Sequence, residues 1–303
     1  MRHGRYPFVA GFLTIPVVLY VLYVIWPYAQ AFFYAFTDWH GISAKQNFIG
    51  FANFTKLFHD KVFWKAVEHN IMLLLALPLI TVAIALFLSF MLNQGGRSRS
   101  GATAGIWGSK VYRVVFFFPQ ILAVVIIGVI FGRVFSPDDS GLLNGVLGAV
   151  GVGPVLFLAD PNLALYSIIG VLVWQAVGFY VVLFSAGMAS IPKDIYEAAL
   201  LDGASATSMF FKVTLPLLWD TVQVAWVYLG IAAFDAFAIV QVMSVDQGGP
   251  DKATTVLGLE IYRNAITYSQ FGYASAMGVA LFFLTITFAA LTLRVTRRET
   301  IEL

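Results

Sequence analysis

One loop of the sequence combines small residues with flanking carboxylates in a pattern suited to holding another protein. Its centre is the run Glu197-Ala198-Ala199-Leu200-Leu201-Asp202-Gly203-Ala204, where small side chains let a partner's backbone approach closely and two acids place charge nearby. Pro192, the helix-forming residues that follow it and the Asp202-Gly203 pair predict two short helices joined by a tight turn. We expect Pro216, which follows Leu215, to end the second helix. The chemistry of this loop is protein docking rather than bond cleavage.

A second group of polar residues lies within long apolar stretches, where such side chains are costly and usually face a cavity. Asp235 is the only acid deep inside such a stretch, and Gln175 lies near the middle of another. Aromatic rings beside carboxylate and amide groups suit a cargo that has both apolar ring faces and hydroxyl groups. The residues predicted to line a path for such a cargo are Asp235, Gln175, Trp174, Tyr180, Phe237 and Gln241. Two structural alternatives stay open: Asp235 pairs with Arg133, or Trp174 anchors one helix against another.

Sequence motifs for catalysis are missing. A phosphate-binding loop needs a Gly-rich turn that ends in Gly-Lys-Ser/Thr, and Gly108-Ser109-Lys110 has the wrong order. The four His lie in a terminus or in predicted outer loops and there is no Cys, so a metal site or a nucleophilic catalytic site has no support. The net charge of +2 comes with scattered basic residues, which gives no indication of nucleic-acid binding. We therefore expect no enzymatic activity, no metal and no cofactor on this chain.

The composition places these residues in a lipid bilayer. Of 303 residues, 60 % are hydrophobic and 11 % are charged, whereas soluble domains have roughly 25 % charged residues. A hydrocarbon core of about 30 Å requires about 20 apolar residues of helix, because lipid offers no partner for free backbone polar groups. The predicted fold is all-α, a single polytopic membrane domain over residues 1–303 with six transmembrane helices. The predicted spans are 8–36, 70–93, 113–135, 163–189, 217–243 and 271–294, and the docking loop is 190–216.

The N-terminal region shares features with a secretory signal. Arg2 and Arg5 precede an apolar run, and Ala29-Gln30-Ala31 resembles a cleavage site. The apolar stretch from Phe8 to Trp26 is nevertheless longer than the apolar region of about 7 to 15 residues in such signals. We therefore expect a retained first span.

The distribution of Lys and Arg predicts the orientation, because insertion keeps basic loops preferentially on the cytoplasmic side. One set of segments holds 11 basic residues, and the opposite set holds six, or seven with Arg133. The basic residues of the richer set are Arg2, Arg5, Arg97, Arg99, Lys110, Arg113, Lys193, Lys212, Arg294, Arg297 and Arg298. Both termini and the docking loop between spans four and five are therefore predicted to be cytoplasmic.

The docking loop resembles the coupling motif of ABC importer permeases. The resemblance lies in Glu197-Ala198-Ala199 with Asp202-Gly203-Ala204, followed by Phe210-Phe211-Lys212-Val213-Thr214-Leu215-Pro216. The Ile191-Pro192 start, the Leu215-Pro216 end and the six-span layout are similar to the carbohydrate-uptake, maltose-type branch, with some likeness to its amino-sugar or small-oligosaccharide members. Thr207 departs from the pattern, because many relatives carry a bulky aromatic residue there.

This resemblance implies a set of partners and a location. The chain would pair with a second permease, which is a different but homologous subunit, and with an extracytoplasmic solute-binding protein. An ABC ATPase dimer would dock on the cytoplasmic loop and would hold the ATP and Mg that drive transport. The family implies a prokaryotic plasma membrane as the location and import of a sugar as the function. In maltose-type permeases the spans on either side of the coupling loop hold the cargo.

Three other functions stay open at this level. The first is an ABC importer permease for a non-sugar solute such as glycerol phosphate. The second is an ATP-independent secondary transporter or channel, which would require ion-coupling acids or broken helices in several spans. The third is a membrane scaffold whose loop only recruits a partner, and the polar residues Gln175, Asp235 and Gln241 speak against it.

Overall fold

The computed structural model describes residues 5–42, 45–94, 96–97, 103–104, 106–138 and 140–296, and these residues are predominantly helical. The α-helices are α1 (Arg5–Tyr20), α2 (Trp26–Tyr34), α3 (Ala52–His59), α4 (Lys61–Gln94), α5 (Ser109–Ile121), α6 (Val124–Val134), α7 (Leu142–Ala149), α8 (Ala164–Ser190), α9 (Lys193–Leu201), α10 (Ala206–Met209), α11 (Leu215–Leu217), α12 (Trp219–Phe234), α13 (Phe237–Met243), α14 (Leu257–Tyr262) and α15 (Phe271–Thr296). Three π-helical segments occur, at Val21–Ile25, Phe210–Thr214 and Arg263–Thr267. Two residues of β1 (Gly96–Arg97) pair antiparallel with two of β2 (Thr103–Ala104).

Four described helical stretches are long and apolar enough to cross a membrane, and there are six if each of two bent helix pairs counts as one span. The four are Gly11–Tyr34, Lys61–Asn93, Ala164–Ser190 and Phe271–Val295. The predicted all-α, multi-pass fold is therefore confirmed. The orientation stays a prediction, and Arg2, Arg99, Arg297 and Arg298, on which it partly rests, lie outside the described residues.

The third predicted span, 113–135, is wrong as a continuous helix. It consists of α5 and α6, which meet at an angle of 97°. Leu122 and Ala123 between them have extended backbones, with ψ of 138° and 135°. The sequence contains the physical cause, because Pro119 in the last turn of α5 has no N–H to continue the helical hydrogen-bond ladder.

The fifth predicted span, 217–243, is also interrupted, and at two places. The helical stretch Ala206–Leu217 bends by 72° where it meets α12. At the other end α12 finishes at Phe234, and α13 begins only at Phe237. Asp235 and Ala236 form the break between these two helices, with ψ of 21° and 13° in place of helical values.

The second predicted span, 70–93, begins earlier than expected. The helix α4 starts at Lys61 because the Asp60 carboxylate accepts hydrogen bonds from the backbone N–H groups of Val62 (2.8 Å) and Phe63 (3.3 Å). An acid in this position satisfies free N–H groups and interacts favourably with the helix dipole. The span gains about two and a half turns beyond the apolar stretch.

The described chain forms two compact units, residues 65–259 with 285–303, and residues 1–64 with 260–284. In the first unit α8 lies at the centre and contacts α5, α12 and α13. Its packing against α5 is close at Gly178, where an added Cβ atom would overlap the backbone carbonyl of Phe116. Large and almost completely buried side chains fill this unit, among them Leu73, Ile127, Ile168, Phe184, Leu229 and Ile239.

The second unit joins α2 to the first half of α15. Phe32 packs edge-on against Phe282, with ring centroids 5.5 Å apart. The buried amide of Asn53 donates hydrogen bonds to the backbone carbonyls of Ala35 (2.9 Å) and Thr37 (2.8 Å), which fixes the chain where it leaves α2. A further hydrogen bond runs from the Tyr273 hydroxyl to the Asp60 carboxylate at 2.6 Å, so the helix-capping acid is itself held.

Candidate functional site: the docking helix and the broken spans

The docking loop folds as predicted into two short helices, α9 and α10, on either side of a turn at Gly203. One face of α9 is anchored to the core, because Tyr196 is buried and its hydroxyl lies 3.4 Å from the Thr214 hydroxyl. The opposite face is exposed and carries Glu197, Ala198, Leu201 and Asp202. The helix therefore presents a small-residue surface with two carboxylates while its other face holds it rigidly to the protein.

Gly203 ends α9 in a conformation that favours glycine. Its φ of +75° lies in the left-handed region, where a side chain is disfavoured. The Gly203 N–H donates to the Leu200 carbonyl at 3.0 Å, and the Ala204 N–H donates to the Ala199 carbonyl at 2.9 Å. These two bonds form a Schellman motif, which satisfies carbonyls that the helix end leaves free. Four of the predicted docking residues, Ala199, Asp202, Gly203 and Ala204, thus also shape the turn.

The second half of the loop differs from the prediction at Pro216. The Ser205 hydroxyl caps α10 by accepting from the Ser208 N–H at 3.2 Å, and the chain then continues through the π-helical segment Phe210–Thr214 into α11. Pro216 lies inside this helical stretch, which ends one residue later at Leu217. The predicted end of the second helix at Pro216 is therefore displaced by one residue, to Leu217.

Leu201 is an exposed residue of this surface that the sequence motif did not single out. Its side chain is 89 % exposed, on the same face as Ala198 and Glu197. Leucine is a strong helix former and is usually buried, so residue type alone does not separate Leu201 from the partly buried Leu200. An exposed leucine beside small residues is a suitable anchor for a partner's apolar pocket.

An apolar groove of about 460 Å³ lies beside the docking helices. It is lined by α4 residues including Phe87 and Phe90 and by Thr207, Phe210 and Phe211 of the loop. Thr207 is exposed and contributes only a small side chain, so this departure from the family pattern leaves room where a bulky aromatic residue would reduce the groove.

The break between α12 and α13 exposes Asp235. Its side chain is exposed and makes no ion pair with Arg133, although both residues are described. The structure therefore contradicts the alternative in which Asp235 serves only as an ion-pair partner of Arg133. The prediction that Asp235 lies inside a continuous helix is corrected as well, since it occupies the first position after α12.

A buried asparagine supports this break. The Asn70 side chain has no solvent exposure, and its amide donates a hydrogen bond to the Ala233 carbonyl at 3.0 Å. Its carbonyl oxygen accepts from the Leu257 N–H at 2.8 Å. Sequence reasoning missed Asn70, because a single amide near one end of a span does not reveal which backbone groups in distant elements it will reach.

The other predicted cargo-path residues are divided between α8 and α13, which contact each other. Gln241 has a buried side-chain oxygen with no hydrogen-bond partner among the described residues, and Phe237 is half-buried. Gln175 is half-buried, and Tyr180 is buried one and a half turns further along α8. The predicted cargo path through these residues therefore stays a prediction.

Trp174 anchors one helix against another, as the structural alternative predicts. Its ring packs edge-on against Phe131 of α6, with ring centroids 4.9 Å apart, while 43 % of the residue remains exposed. This contact fastens α8 to the second half of the bent α5–α6 pair. Trp174 therefore has a demonstrated packing role, and its contact with cargo stays a prediction.

The comparisons with known proteins agree with the docking loop and the helical architecture. Residues 54–300 match the family described as binding-protein-dependent transport system inner membrane component. The diacetylchitobiose uptake system permease protein of Streptomyces coelicolor is 42 % identical over 300 residues, which cover 98 % of this chain and 84 % of that protein. The multiple sugar-binding transport system permease protein of Streptococcus mutans is 32 % identical over 95 % of this chain and 94 % of its own length.

A solved structure supports the fold. The crystal structure of a bacterial alginate ABC transporter, in complex with a periplasmic protein bound to alginate pentasaccharide, contains a chain that is similar with a TM-score of 0.82. The two chains are 21 % identical, and the match covers 98 % of this chain and 96 % of the other. The protein is a transport subunit and not itself an enzyme, and it belongs to the family of binding-protein-dependent transport system inner membrane components.

Proposed function

We propose that this chain is the permease subunit of an ABC importer that carries a sugar, in the range from amino sugars to small oligosaccharides, across a prokaryotic plasma membrane. The observation that carries the proposal is the exposed face of α9, which presents Glu197, Ala198 and Leu201 on a helix whose other face is buried. The choice of a sugar as cargo is supported by relatives named for diacetylchitobiose and multiple-sugar transport.

In this proposal an ABC ATPase dimer binds α9 and holds the ATP and Mg. Closure of that dimer would push α9, and the contact between Tyr196 and Thr214 would carry the movement to the helical stretch that leads into α12. The buried residues Ile191 and Met209, which lie within the docking loop on either side of α9, join the same core. A rigid connection of this kind allows a displacement at the ATPase to move the spans around the cargo.

The cargo path would run beside the break between α12 and α13. Breaks in transmembrane helices often lie at the binding site of a transporter, because freed backbone groups and polar side chains then face a cavity. Asp235 would accept hydrogen bonds from sugar hydroxyls, and Gln241 and Gln175 would supply amide groups. A second, homologous permease would complete the cavity, and an extracytoplasmic binding protein would deliver the sugar.

The docking assignment is tested in the assembled transporter. We expect Glu197→Lys and Gly203→Pro to abolish ATP-dependent uptake and to weaken ATPase association. Leu201→Asp should do the same without unfolding the permease, because its side chain is exposed. Leu142→Asp is the matched control, since Leu142 is 66 % exposed at the start of α7, in a segment predicted to be on the outer side. Intact uptake and association in the three docking variants would refute the assignment.

The cargo assignment has its own test. Sugar-stimulated ATPase activity is measured for Asp235→Ala and Gln175→Ala in complexes that contain the binding protein. A lower rate or a weaker apparent affinity is expected in at least one variant, and unchanged values in both would remove these residues from the path. Stimulation by glycerol phosphate but not by sugars would favour the non-sugar alternative, and uptake without ATP would favour a secondary transporter.

A further inference from the structure

An isolated basic group lies near the start of α5. Arg113 is half-buried, and one of its terminal nitrogens, Nη2, donates a hydrogen bond to the Asn93 side-chain oxygen at 2.7 Å. Its Nε is buried and has no hydrogen-bond partner among the described residues. No described carboxylate pairs with Arg113, and the sequence has no acid between Glu68 and Asp138. A partly buried cation without an anion is unfavourable, so this site is suited to an anionic ligand.

The guanidinium is held in a fixed position. The Asn93 amide donates hydrogen bonds to the Ser89 carbonyl at 2.7 Å and to the Ser185 hydroxyl at 3.1 Å. These bonds leave the Asn93 oxygen directed to Arg113, so three helices, α4, α5 and α8, determine where the cation lies. A preorganised cation binds an anion without the entropic cost of ordering a long side chain.

An apolar groove of about 360 Å³ begins at Arg113. The remaining lining residues are Val114, Phe117, Phe118, Ile121 and Val182, none of which is polar. The spacing of the α5 residues places them along one face of that helix. From Arg113 to Ile121 the helix rises about 12 Å, which is most of the roughly 15 Å depth of one leaflet.

The chain immediately before Arg113 has the composition of a membrane–water interface. Lys110 is exposed one turn before Arg113, Trp107 is 96 % exposed and Tyr112 is half exposed. Trp and Tyr are enriched at headgroup depth, and basic residues there attract anionic headgroups. Lys110 and Arg113 also belong to the segments predicted to be cytoplasmic, where anionic lipids exert this attraction.

We propose that Arg113 and this groove bind an anionic glycerophospholipid. Its phosphodiester group pairs with the guanidinium and with Lys110, and one acyl chain lies against Phe117, Phe118 and Val182. A soluble phosphate would neutralise Arg113 but leave the apolar groove empty, and a neutral lipid would fill the groove but leave the charge unpaired. This site goes beyond the proposed transport function and does not depend on the identity of the cargo.

Native mass spectrometry of the full-length chain, titrated with phosphatidylglycerol or phosphatidylcholine, tests the proposal. The wild type should retain one phosphatidylglycerol at lipid concentrations where phosphatidylcholine is lost. Arg113→Gln should weaken this binding at least tenfold, whereas Arg113→Lys should retain most of it. Val182→Trp, which fills the groove and leaves the Arg113–Asn93 hydrogen bond in place, should also weaken it. The matched control is Arg133→Gln, which removes an exposed arginine from α6 and should have no effect.

Three results would overturn the proposal. The first is equal loss of phosphatidylglycerol in Arg113→Gln and Arg133→Gln, and the second is equal retention of both lipids by the wild type. The third is displacement of the lipid by millimolar glycerol 3-phosphate, which would identify a site for a free phosphate. If Arg113→Gln fails a thermal-unfolding check, the decision rests on Val182→Trp, and wild-type binding by that variant would exclude the groove.

Discussion

The buried amide of Asn70 donates a hydrogen bond of 3.0 Å to the carbonyl of Ala233, two residues before Asp235 at the break that exposes this acid. The same side chain accepts from the Leu257 N–H at 2.8 Å. One asparagine on α4 thus satisfies backbone groups at the end of α12 and the start of α14. The position of Asp235 in the proposed cargo path depends on this pairing.

Replacement of Asn70 by Ala should destabilise the protein. It leaves the Ala233 carbonyl and the Leu257 N–H buried and unpaired, and each such group costs about 1–3 kcal/mol. We expect a decrease of about 2–4 kcal/mol in the free energy of unfolding, measured as a lower midpoint of thermal unfolding in detergent. Asn162→Ala is the control, because Asn162 is exposed. Equal midpoints for the two variants would contradict the supporting role of Asn70.

Two glycines of α8 should respond in opposite ways to Ala. At Gly178 a Cβ atom would overlap the backbone of Phe116, so α5 and α8 would have to separate. We expect Gly178→Ala to cost about 1–3 kcal/mol, the typical effect of overpacking. Gly170 has open space around its Cβ position, and Gly170→Ala should be neutral or stabilising by up to about 1 kcal/mol. Thermal midpoints of the two variants check the difference. A lower midpoint for Gly170→Ala would indicate that α8 tolerates no added side chain at either position.

The left-handed conformation of Gly203 should control ATPase docking. Ala at φ of +75° is strained by roughly 1–2 kcal/mol, whereas Asn tolerates this region better. Association of the ATPase subunit is measured by co-purification at several concentrations. It should be strongest for the wild type and then weaken in the order Gly203→Asn, Gly203→Ala and Gly203→Val, with up to about a tenfold loss of affinity for Gly203→Ala. Gly151→Ala introduces the same strain at φ of +82° in a loop predicted to be outside and should leave association unchanged. If ATPase association did not follow this order, the left-handed turn at Gly203 would not control docking.

The loop between α2 and α3 should loosen in acid. Hydrogen bonds from the side chain and then the backbone N–H of Asn47 hold the pKa of Asp38 below its ordinary value of 3.8. Because the pKa is lower in the folded state, this stabilisation is present above pH 3.8 and is lost as the pH falls through the lowered pKa. Pepsin should cut this loop faster in Asp38→Ala than in the wild type at pH 4.5, and the two rates should converge near pH 2. A constant ratio of rates would show that ionisation of Asp38 does not matter here.

The sequence by itself determined the helical membrane fold and the docking loop. Both depend on local properties, since about 20 apolar residues must form a helix in lipid and an Asp-Gly pair at a helix end favours a left-handed turn. The boundaries of α8 and the turn at Gly203 therefore agree with the sequence prediction.

Only the tertiary structure decided where the spans break and which side chains support the breaks. Apolar composition alone did not separate the continuous α8 from the bent pair α5–α6, even though Pro119 was visible in the sequence. The exposure of Asp235 and Leu201, the reach of Asn70 and the isolated charge of Arg113 all depend on contacts, or on missing partners, between elements far apart in the chain. Such relationships arise only when the helices pack, because hydrophobic length selects a span but not its neighbours.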